Sequence, residues 1–257
     1  MNYKIETKNN IRYITIPKLT ELGLKHCFTT SDMDIGFTTN GSVESIKENL
    51  ELIYDFLDIK PSILYNGFQT HSRNMAVVEN IDQGLENEFG RYFPDTDGLV
   101  TDKENIALIT RYADCTPIIL YDPVKKVHAN IHSGWKGTLQ RIAANAIDTM
   151  KNEYKCQALD IISIIGPTIG KDEFEVDDDV AEQFKKEFGY LENIITKKDK
   201  IKSLIDLQEI NKNILLENGL EEDNITILDL PTISNYMLHS YRRDKKEFGL
   251  MGVITIL

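Results

Sequence analysis

Short runs rich in valine and isoleucine, bounded by turn-forming residues, recur along the chain and predict β-strands. Several of these runs show no polar alternation, which is typical of strands that are covered on both faces. The predicted strands are residues 11–17, 107–110, 116–121, 126–131, 159–165, 224–228 and 251–256.

Helical periodicity of apolar positions is clearest in the segment that follows Thr138. The apolar stripe of this helix contains Leu139, Ile142, Ala143, Ala146, Ile147 and Met150. Asp177 is a good N-cap for a second helix, which places Val180, Phe184 and Phe188 inward. Two further helices fit residues 43–56 and 206–218.

Strands and helices are interspersed along the chain, so the sequence predicts an α/β or mixed α+β fold. We find no internal repeat, low-complexity tract or linker rich in proline, glycine and serine. We therefore expect residues 1–257 to form a single domain, with central mixed β-sheets flanked by helices.

The charge and composition of the chain exclude several function classes. A net charge of −12 argues against nucleic acid as a partner, because both would be polyanions. The apolar runs are far too short to span a membrane, and the polar N-terminus has no secretory pattern, so we expect a cytoplasmic protein without a membrane partner. Three widely spaced cysteines predict thiolate or metal chemistry and no disulfide framework.

Two histidines and one cysteine stand in polar segments at the ends of predicted strands. His71 precedes a strand-like run, Cys115 leads into the strand 116–121, and His132 follows the strand 126–131. Two imidazoles and a thiolate suit zinc, or copper. Three protein ligands would leave a fourth coordination position for water or substrate, which is the catalytic arrangement.

The same residues admit other interpretations. A cysteine at the start of a buried strand is commonly a small apolar side chain, and a histidine at a strand end is commonly only hydrogen-bonded. Cys115 as nucleophile with His132 as base would make a thiol hydrolase or amidase. The spacing of the three residues matches no short metal-binding motif, so it leaves these alternatives open.

Six motifs occur in order and together resemble the laccase-domain family, whose members are described as multicopper polyphenol oxidoreductases, purine nucleoside phosphorylases or peptidoglycan editing factors. The motifs are Gln69-Thr70-His71, Thr96-Asp97-Gly98-Leu99-Val100-Thr101, Ala113-Asp114-Cys115-Thr116-Pro117, His132-Ser133-Gly134-Trp135-Lys136-Gly137, Ile165-Gly166-Pro167-Thr168-Ile169-Gly170 and Ser240-Tyr241-Arg242-Arg243. The resemblance runs from about Gly67 to the C-terminus.

This resemblance implies that His71, Cys115 and His132 are the metal ligands. It also implies zinc-dependent phosphorolysis of adenosine, inosine, guanosine and methylthioadenosine, with adenosine deamination as a companion activity. Purine nucleosides and phosphate would then be the partners. The alternatives that the family names carry are copper-dependent oxidation of phenols and hydrolysis of peptidoglycan precursors.

Two segments depart from the family pattern. The usual T-R-x-G-G-x-S stretch is replaced by Phe28-Thr29-Thr30-Ser31-Asp32-Met33, which lacks the arginine and the glycine pair. Near the C-terminus the usual Cys-Thr pair is absent around Pro231-Thr232, and the usual Gly-Arg is Gly249-Leu250. These changes affect the expected polar contacts with substrate and leave the three ligands in place.

Four further residues are candidates for the chemistry. Asp114 would shuttle a proton or orient a ligand histidine, and we favour the second role. Gln69 would stabilise a developing oxyanion or fix the substrate. Phosphate would be held by Arg73 or Arg242, whose forked donors match its oxygens, or by backbone N–H groups at residues 134–138.

Overall fold

The computed structural model describes residues 2–37, 39 and 41–257. Within them the strands form three β-sheets, and the strands of each sheet are named in their spatial order. The eight-stranded sheet contains β1 (Lys4–Lys8), β2 (Ile11–Thr15), β3 (Lys25–Thr29), β17 (Met251–Ile256), β9 (Ile106–Tyr112), β4 (Ile63–Gly67), β7 (Gly90–Phe93) and β6 (Leu85–Asn87). The six-stranded sheet contains β16 (Ile225–Ile227), β12 (Ile162–Ile165), β10 (Thr116–Asp122), β11 (Val127–Ser133), β8 (Gly98–Thr101) and β5 (Met75–Val77). The three-stranded sheet contains β13 (Glu175–Asp177), β15 (Lys202–Ile205) and β14 (Ile195–Lys197).

The described residues form seven α-helices, and some of these cover the outer faces of the two larger sheets. The seven helices are α1 (Pro17–Glu21), α2 (Val43–Leu57), α3 (Trp135–Leu139), α4 (Ile142–Tyr154), α5 (Asp178–Phe188), α6 (Leu207–Glu217) and α7 (Tyr241–Asp244). The chain is thus a single mixed α+β domain, as the sequence predicted.

The domain has four layers, with α2 on one sheet, the two large sheets face to face, and α4 to α6 on the other sheet. Neighbouring residues of one strand pack on opposite sides of the sheet, because successive side chains point to opposite faces. In β17, Val253 packs between the sheets while Ile254 faces α2. In β10, Ile119 lies between the sheets and Ile118 faces the helices. This explains why these strands are apolar without alternation.

Polar side chains also join the two large sheets. Asn130 of β11 donates to the carbonyl oxygens of Leu108 and Val253 and accepts from the Thr110 hydroxyl at 2.7 Å. His128 is fully buried in the core and is hydrogen-bonded through Nδ1 to Thr255 at 2.8 Å. Buried polar groups that are paired in this way hold the two sheets in one relative position.

Most predicted elements are confirmed, and three differ in extent. The strand predicted over residues 11–17 ends at Thr15, and Pro17 begins α1. The strand predicted from residue 159 begins at Ile162, because Ala158–Asp160 form a 3₁₀ turn. The helix predicted after Thr138 is two helices, α3 and α4, separated by Arg141 in the left-handed backbone region (φ 58°). Arg141 is held there by ion pairs with Glu187 and Glu217, which lie far away in sequence.

None of the helices among the described residues is long and apolar enough to cross a membrane.

Candidate metal centre

The structure brings His71, Cys115 and His132 together at one edge of the paired sheets. Cys115 stands in the connection from β9 to β10, His132 lies near the end of β11, and His71 belongs to the loop that follows β4. One possible ligand atom from each residue lies within 4.8 Å of the others. The Sγ atom of Cys115 is 3.6 Å from Nε2 of His71, and the two imidazole rings meet edge to face.

Asp97 orients the side chain of His132 and fixes the backbone that carries His71. Its buried carboxylate is 2.8 Å from Nδ1 of His132. This contact leaves Nε2 as the ring nitrogen that is available to a metal ion. The same carboxylate accepts the backbone N–H groups of Thr70, His71 and Ser72 at 2.8–3.1 Å. The loop that carries His71 is therefore wrapped around the group that orients His132.

The backbone at the site is shaped for close approach. His71 has a φ of 61°, a left-handed conformation that non-glycine residues seldom adopt and that the bonds to Asp97 support. Gly134 follows β11, and a Cβ atom there would lie 2.4 Å from Cδ2 of His71 and 3.2 Å from Sγ of Cys115. Only glycine leaves room at this position for both side chains.

The electrostatics favour a thiolate at Cys115. Burial of the thiol opposes ionisation, but the charge of His132 and hydrogen bonds from both histidines outweigh it and lower the Cys115 pKa to about 6. Burial likewise opposes protonation of His132, yet the Cys115 thiolate and the Asp97 carboxylate raise its pKa. The thiolate is the form of cysteine that binds metal ions.

The three side chains fit a transition-metal ion. Two donors that share a zinc ion in tetrahedral geometry lie roughly 3.5 Å apart. The observed 3.6 Å between Sγ of Cys115 and Nε2 of His71 matches this spacing. Neutral imidazole and thiolate are ligands of zinc and of copper, so the donor set suits either metal.

The centre lies in a cleft of about 630 Å³, a size typical of small-molecule sites. His71 is exposed to the cleft, Cys115 is half-buried and His132 is buried, so the three side chains are reached from one side. The remaining walls are largely aromatic and come from Phe68, Trp135, Phe174, Tyr241 and Phe248. Tyr241 and Phe248 pack edge to face, with their ring centroids 4.9 Å apart.

Asp114 and Gln69 both line the cleft, and their polar atoms are engaged by neighbouring groups. Asp114 accepts a hydrogen bond from the backbone N–H of Arg242 at 2.7 Å and another from the Thr232 hydroxyl. The carboxylate that orients a candidate ligand histidine is thus Asp97 and not Asp114, which the sequence had favoured for this role. The Gln69 amide pairs with both backbone groups of Arg111, at 2.7 and 2.9 Å.

The two arginines predicted to hold phosphate have different positions. Arg242 lines the cleft, and its guanidinium donates to the carbonyl of Glu175 at 3.0 Å. Arg73 is exposed and is not among the residues that line the cleft. The neighbouring Arg243 donates to three backbone carbonyls and pairs with Asp244, so it holds the C-terminal segment in place.

Two residues at the site had no role in the sequence interpretation. Asp97 belongs to one of the six motifs, but the sequence interpretation gave it no role. Its position directly before an apolar strand is the feature of the sequence that marks it as a candidate functional residue. Arg111 lines the cleft at the end of β9, where the sequence alone suggests an ordinary strand terminus. His26 and His239 are hydrogen-bonded away from this cluster, His26 to the backbone N–H of Ile16 and His239 to the carbonyl oxygen of Met33.

The class of protein is defined by two packed β-sheets that carry, at one edge, a His-Cys-His cluster able to hold a metal ion. The chain belongs to the family described as multi-copper polyphenol oxidoreductase laccase, whose sequence model matches residues 24–257. This membership confirms the resemblance found in the six motifs.

Several relatives and solved structures are similar to the chain. A purine nucleoside phosphorylase of Clostridium acetobutylicum is 33% identical over 227 residues, which cover 87% of this chain and 88% of the relative. The adenosine deaminase RL5 of an unknown prokaryotic organism is 35% identical over 159 residues, covering 61% and 60%. The crystal structure of the hypothetical protein YfiH of Bacillus licheniformis superposes over 98% of both chains, with a TM-score of 0.89 and 25% identity.

Proposed function

We propose that this protein is a zinc-dependent purine nucleoside phosphorylase that also deaminates adenosine. Its substrates for phosphorolysis would be adenosine, inosine, guanosine and methylthioadenosine, together with inorganic phosphate. The observation that carries the proposal is the cluster of His71, Cys115 and His132 within an aromatic cleft of about 630 Å³. The names of the relatives, which include a purine nucleoside phosphorylase and an adenosine deaminase, support it.

His71, Cys115 and His132 would hold the zinc ion, and Asp97 would keep His132 in the orientation needed to bind it. When bound, zinc supplies a Lewis acid that polarises an oxygen or activates water. The aromatic walls of the cleft offer flat apolar surfaces against which a purine base packs. The site thus combines a polar centre with a surface that suits the base.

Phosphorolysis forms a bond from a phosphate oxygen to C1′ of the ribose and breaks the bond from C1′ to the purine nitrogen. The electron pair of that bond leaves with the base, which then takes up a proton. The Arg242 guanidinium in the cleft would bind an anionic or polar part of the substrates. Asp114 would position Arg242 through its backbone N–H, and Gln69 would hold the end of β9 in place through Arg111.

Adenosine deamination requires a different step in the same cleft. Water adds at C6 of the purine, and the C6–N bond breaks to release ammonia and leave inosine. The site needs a group that carries the proton from water to the leaving ammonia, and Asp114 is the carboxylate that lines the cleft. Hydrogen bonds from Thr232 and Arg242 fix the position of its oxygens. We assign it the proton-transfer role for deamination, because that is the step in which a proton must pass from water to the leaving ammonia.

A copper-dependent polyphenol oxidoreductase has less support than the nucleoside enzyme. Among the described residues, His71, Cys115 and His132 are the one group of three that fits a metal ion. Oxidation of phenols coupled to four-electron reduction of oxygen requires several redox centres acting together, and one three-ligand site is poorly suited to it. Hydrolysis of peptidoglycan precursors stays a hypothesis that a substrate assay decides.

The test is turnover by protein of known metal content. Inosine and phosphate should give hypoxanthine and ribose 1-phosphate, and adenosine without phosphate should give inosine, both followed by chromatography. The Cys115→Ser variant should lose most bound zinc and both activities, because a neutral hydroxyl is a poor zinc ligand. Cys156→Ala is the matched control, since Cys156 is buried in the core away from the cleft. Absence of base release by zinc-loaded protein would refute the proposal.

A further inference from the structure

Arg111 is the second-to-last residue of β9 and lines the cleft beside Gln69. Its Nη2 donates to the carbonyl of Gly67 at 3.1 Å and to the Asn66 side chain at 3.4 Å. The ring of Phe37 covers the guanidinium at 3.8 Å. These contacts hold a positive charge at the cleft wall and largely out of water.

The Nη1 atom of Arg111 is buried and has no hydrogen-bond partner. No carboxylate within the described ranges forms an ion pair with this guanidinium. Other arginines of the chain differ in this respect, because they are either exposed or paired with an acidic group. The paired ones are Arg12, Arg91, Arg141 and Arg243, with Asp32, Glu86, Glu187 and Asp244 as partners.

A buried cation without a counter-charge is unfavourable, and so is a buried N–H without an acceptor. An anion in the cleft beside Arg111 would offset the charge, and an anion oxygen that reaches Nη1 would also pair the N–H group. The other formal positive group on the wall, Arg242, already donates to a carbonyl, and the carboxylate of Asp114 is engaged by Thr232 and Arg242. The electrostatics near Arg111 therefore favour a negatively charged ligand.

We propose that Arg111 is a second anion-binding residue of the cleft, beside Arg242, and that its ligand is inorganic phosphate, the second substrate of phosphorolysis. This identification of the anion rests on the proposed function. The forked guanidinium matches the oxygens of phosphate, and the unpaired Nη1 supplies a donor that no protein group uses. Burial lowers the pKa of Arg111 to about 10, so the group is still protonated at neutral pH.

The first test compares thermal stability with and without inorganic phosphate. In phosphate-free buffer, Arg111→Met should unfold at the same temperature as the wild type or higher, because replacing an uncompensated buried charge with a side chain of similar shape removes an unfavourable group. Phosphate should raise the unfolding temperature of the wild type and leave that of the variant unchanged. A variant that phosphate stabilises as strongly as the wild type would overturn the assignment.

Arg91→Met is the matched control. Arg91 is also partly buried and donates to carbonyls, but it has Glu86 as a counter-charge and lies outside the cleft. Its loss should lower the unfolding temperature and leave the effect of phosphate intact. A fall in the unfolding temperature for Arg91→Met but not for Arg111→Met is the result expected if the charge of Arg111 lacks a partner in the absence of a ligand.

The second test measures phosphate affinity directly by calorimetry and, where turnover is found, the KM for phosphate. Arg111→Met should weaken phosphate binding by at least about tenfold, the effect of losing a charged hydrogen bond. Arg111→Lys keeps the charge but loses the fork, so it should also bind phosphate more weakly than the wild type. If Arg111→Met does not fold, unchanged phosphate affinity in Arg111→Lys overturns the proposal.

The outcomes separate this inference from the proposed function. Turnover with an unchanged KM for phosphate in both Arg111 variants would refute the inference and leave the nucleoside phosphorylase intact. Phosphate binding that depends on Arg111, without any base release, would refute the phosphorylase and keep the anion site. Absence of phosphate binding by zinc-loaded wild type would refute the inference.

Discussion

The Asp97 carboxylate lies 2.8 Å from Nδ1 of His132 and also accepts three consecutive backbone N–H groups of the loop that carries His71. One buried side chain therefore sets the orientation of one candidate ligand and the backbone position of another. Such partners of metal-binding histidines fix which nitrogen faces the ion. The relationship makes Asp97 the residue on which the precision of the site depends most.

Replacing Asp97 with asparagine should weaken metal binding without removing a ligand. The amide cannot accept all the donors that the carboxylate accepts, so both His132 and the loop at His71 lose their support. We expect zinc affinity to fall about 10- to 100-fold, measured by competition with a chelator. Asp95→Asn is the control, because exposed Asp95 bonds to Thr70 and Asn74 and to neither histidine. Equal losses in the two variants would contradict this assignment.

The Gly134→Ala variant tests whether close packing holds the ligands together. The backbone φ of Gly134 is −67°, which any residue adopts, so the expected effect comes from the added methyl group alone. That group would lie 2.4 Å from His71 and must displace it. We expect reduced zinc content with little change in the circular dichroism spectrum. Gly41→Ala, whose Cβ meets only side-chain atoms at 3.4 Å or more, should keep full zinc content.

Arg242 and Arg73 were predicted together but should behave differently. Arg242→Met removes a guanidinium from the cleft wall and should raise the KM for phosphate more than the KM for nucleoside. Arg73→Met changes an exposed side chain outside the cleft and should leave both constants unchanged. Steady-state kinetics with each substrate varied in turn provides the comparison. A larger effect from Arg73→Met would mean that substrates bind outside this cleft.

Two buried histidines make stability sensitive to acid. Burial lowers the pKa of His26 to about 4 and that of His128 to about 3, whereas an unfolded histidine titrates near 6.5. Between pH 6.5 and 4 the unfolded chain therefore binds more protons, and stability falls as the pH falls. For His26 this amounts to roughly 3 kcal/mol across that window.

Urea denaturation at pH 7, 5.5 and 4.5 measures this loss. The ring of His26 accepts the N–H of Ile16, so protonation would also break a backbone contact. His26→Gln should be less stable at pH 7 and should lose less stability between pH 7 and 4.5 than the wild type. The same loss in both proteins would show that His26 does not titrate as expected.

Much of the fold was predictable because its strands are buried on both faces. Apolar runs such as the one in β10 reflect contact with a helix layer on one side and a second sheet on the other. The break between α3 and α4 was not predictable, because Arg141 is held by Glu187 and Glu217, which only the tertiary structure brings near. Local periodicity carries no information about such partners.

The sequence also indicated the residue types of the candidate metal site, since His71, Cys115 and His132 stand in polar segments next to apolar strands. It did not indicate the role of Asp97, whose hydrogen-bond donors lie 25 or more residues away along the chain. Nor did it show that Arg111, and not Arg73, is buried at the wall of the cleft, because the burial of Arg111 depends on β4 and Phe37. Residue type is local information, whereas the partner of a side chain is not.

By itself, the sequence determined the order of strands and helices, the apolar faces that must be covered and the donor atoms available for a metal ion. Only the tertiary structure decided which strand ends meet, which carboxylate orients His132 and which arginine stands unpaired in the cleft. The physical reason is one of scale. Apolar burial tolerates small displacements and leaves a periodic pattern, but hydrogen bonds and metal-ligand geometry require specific atoms from distant segments to meet within a few tenths of an ångström.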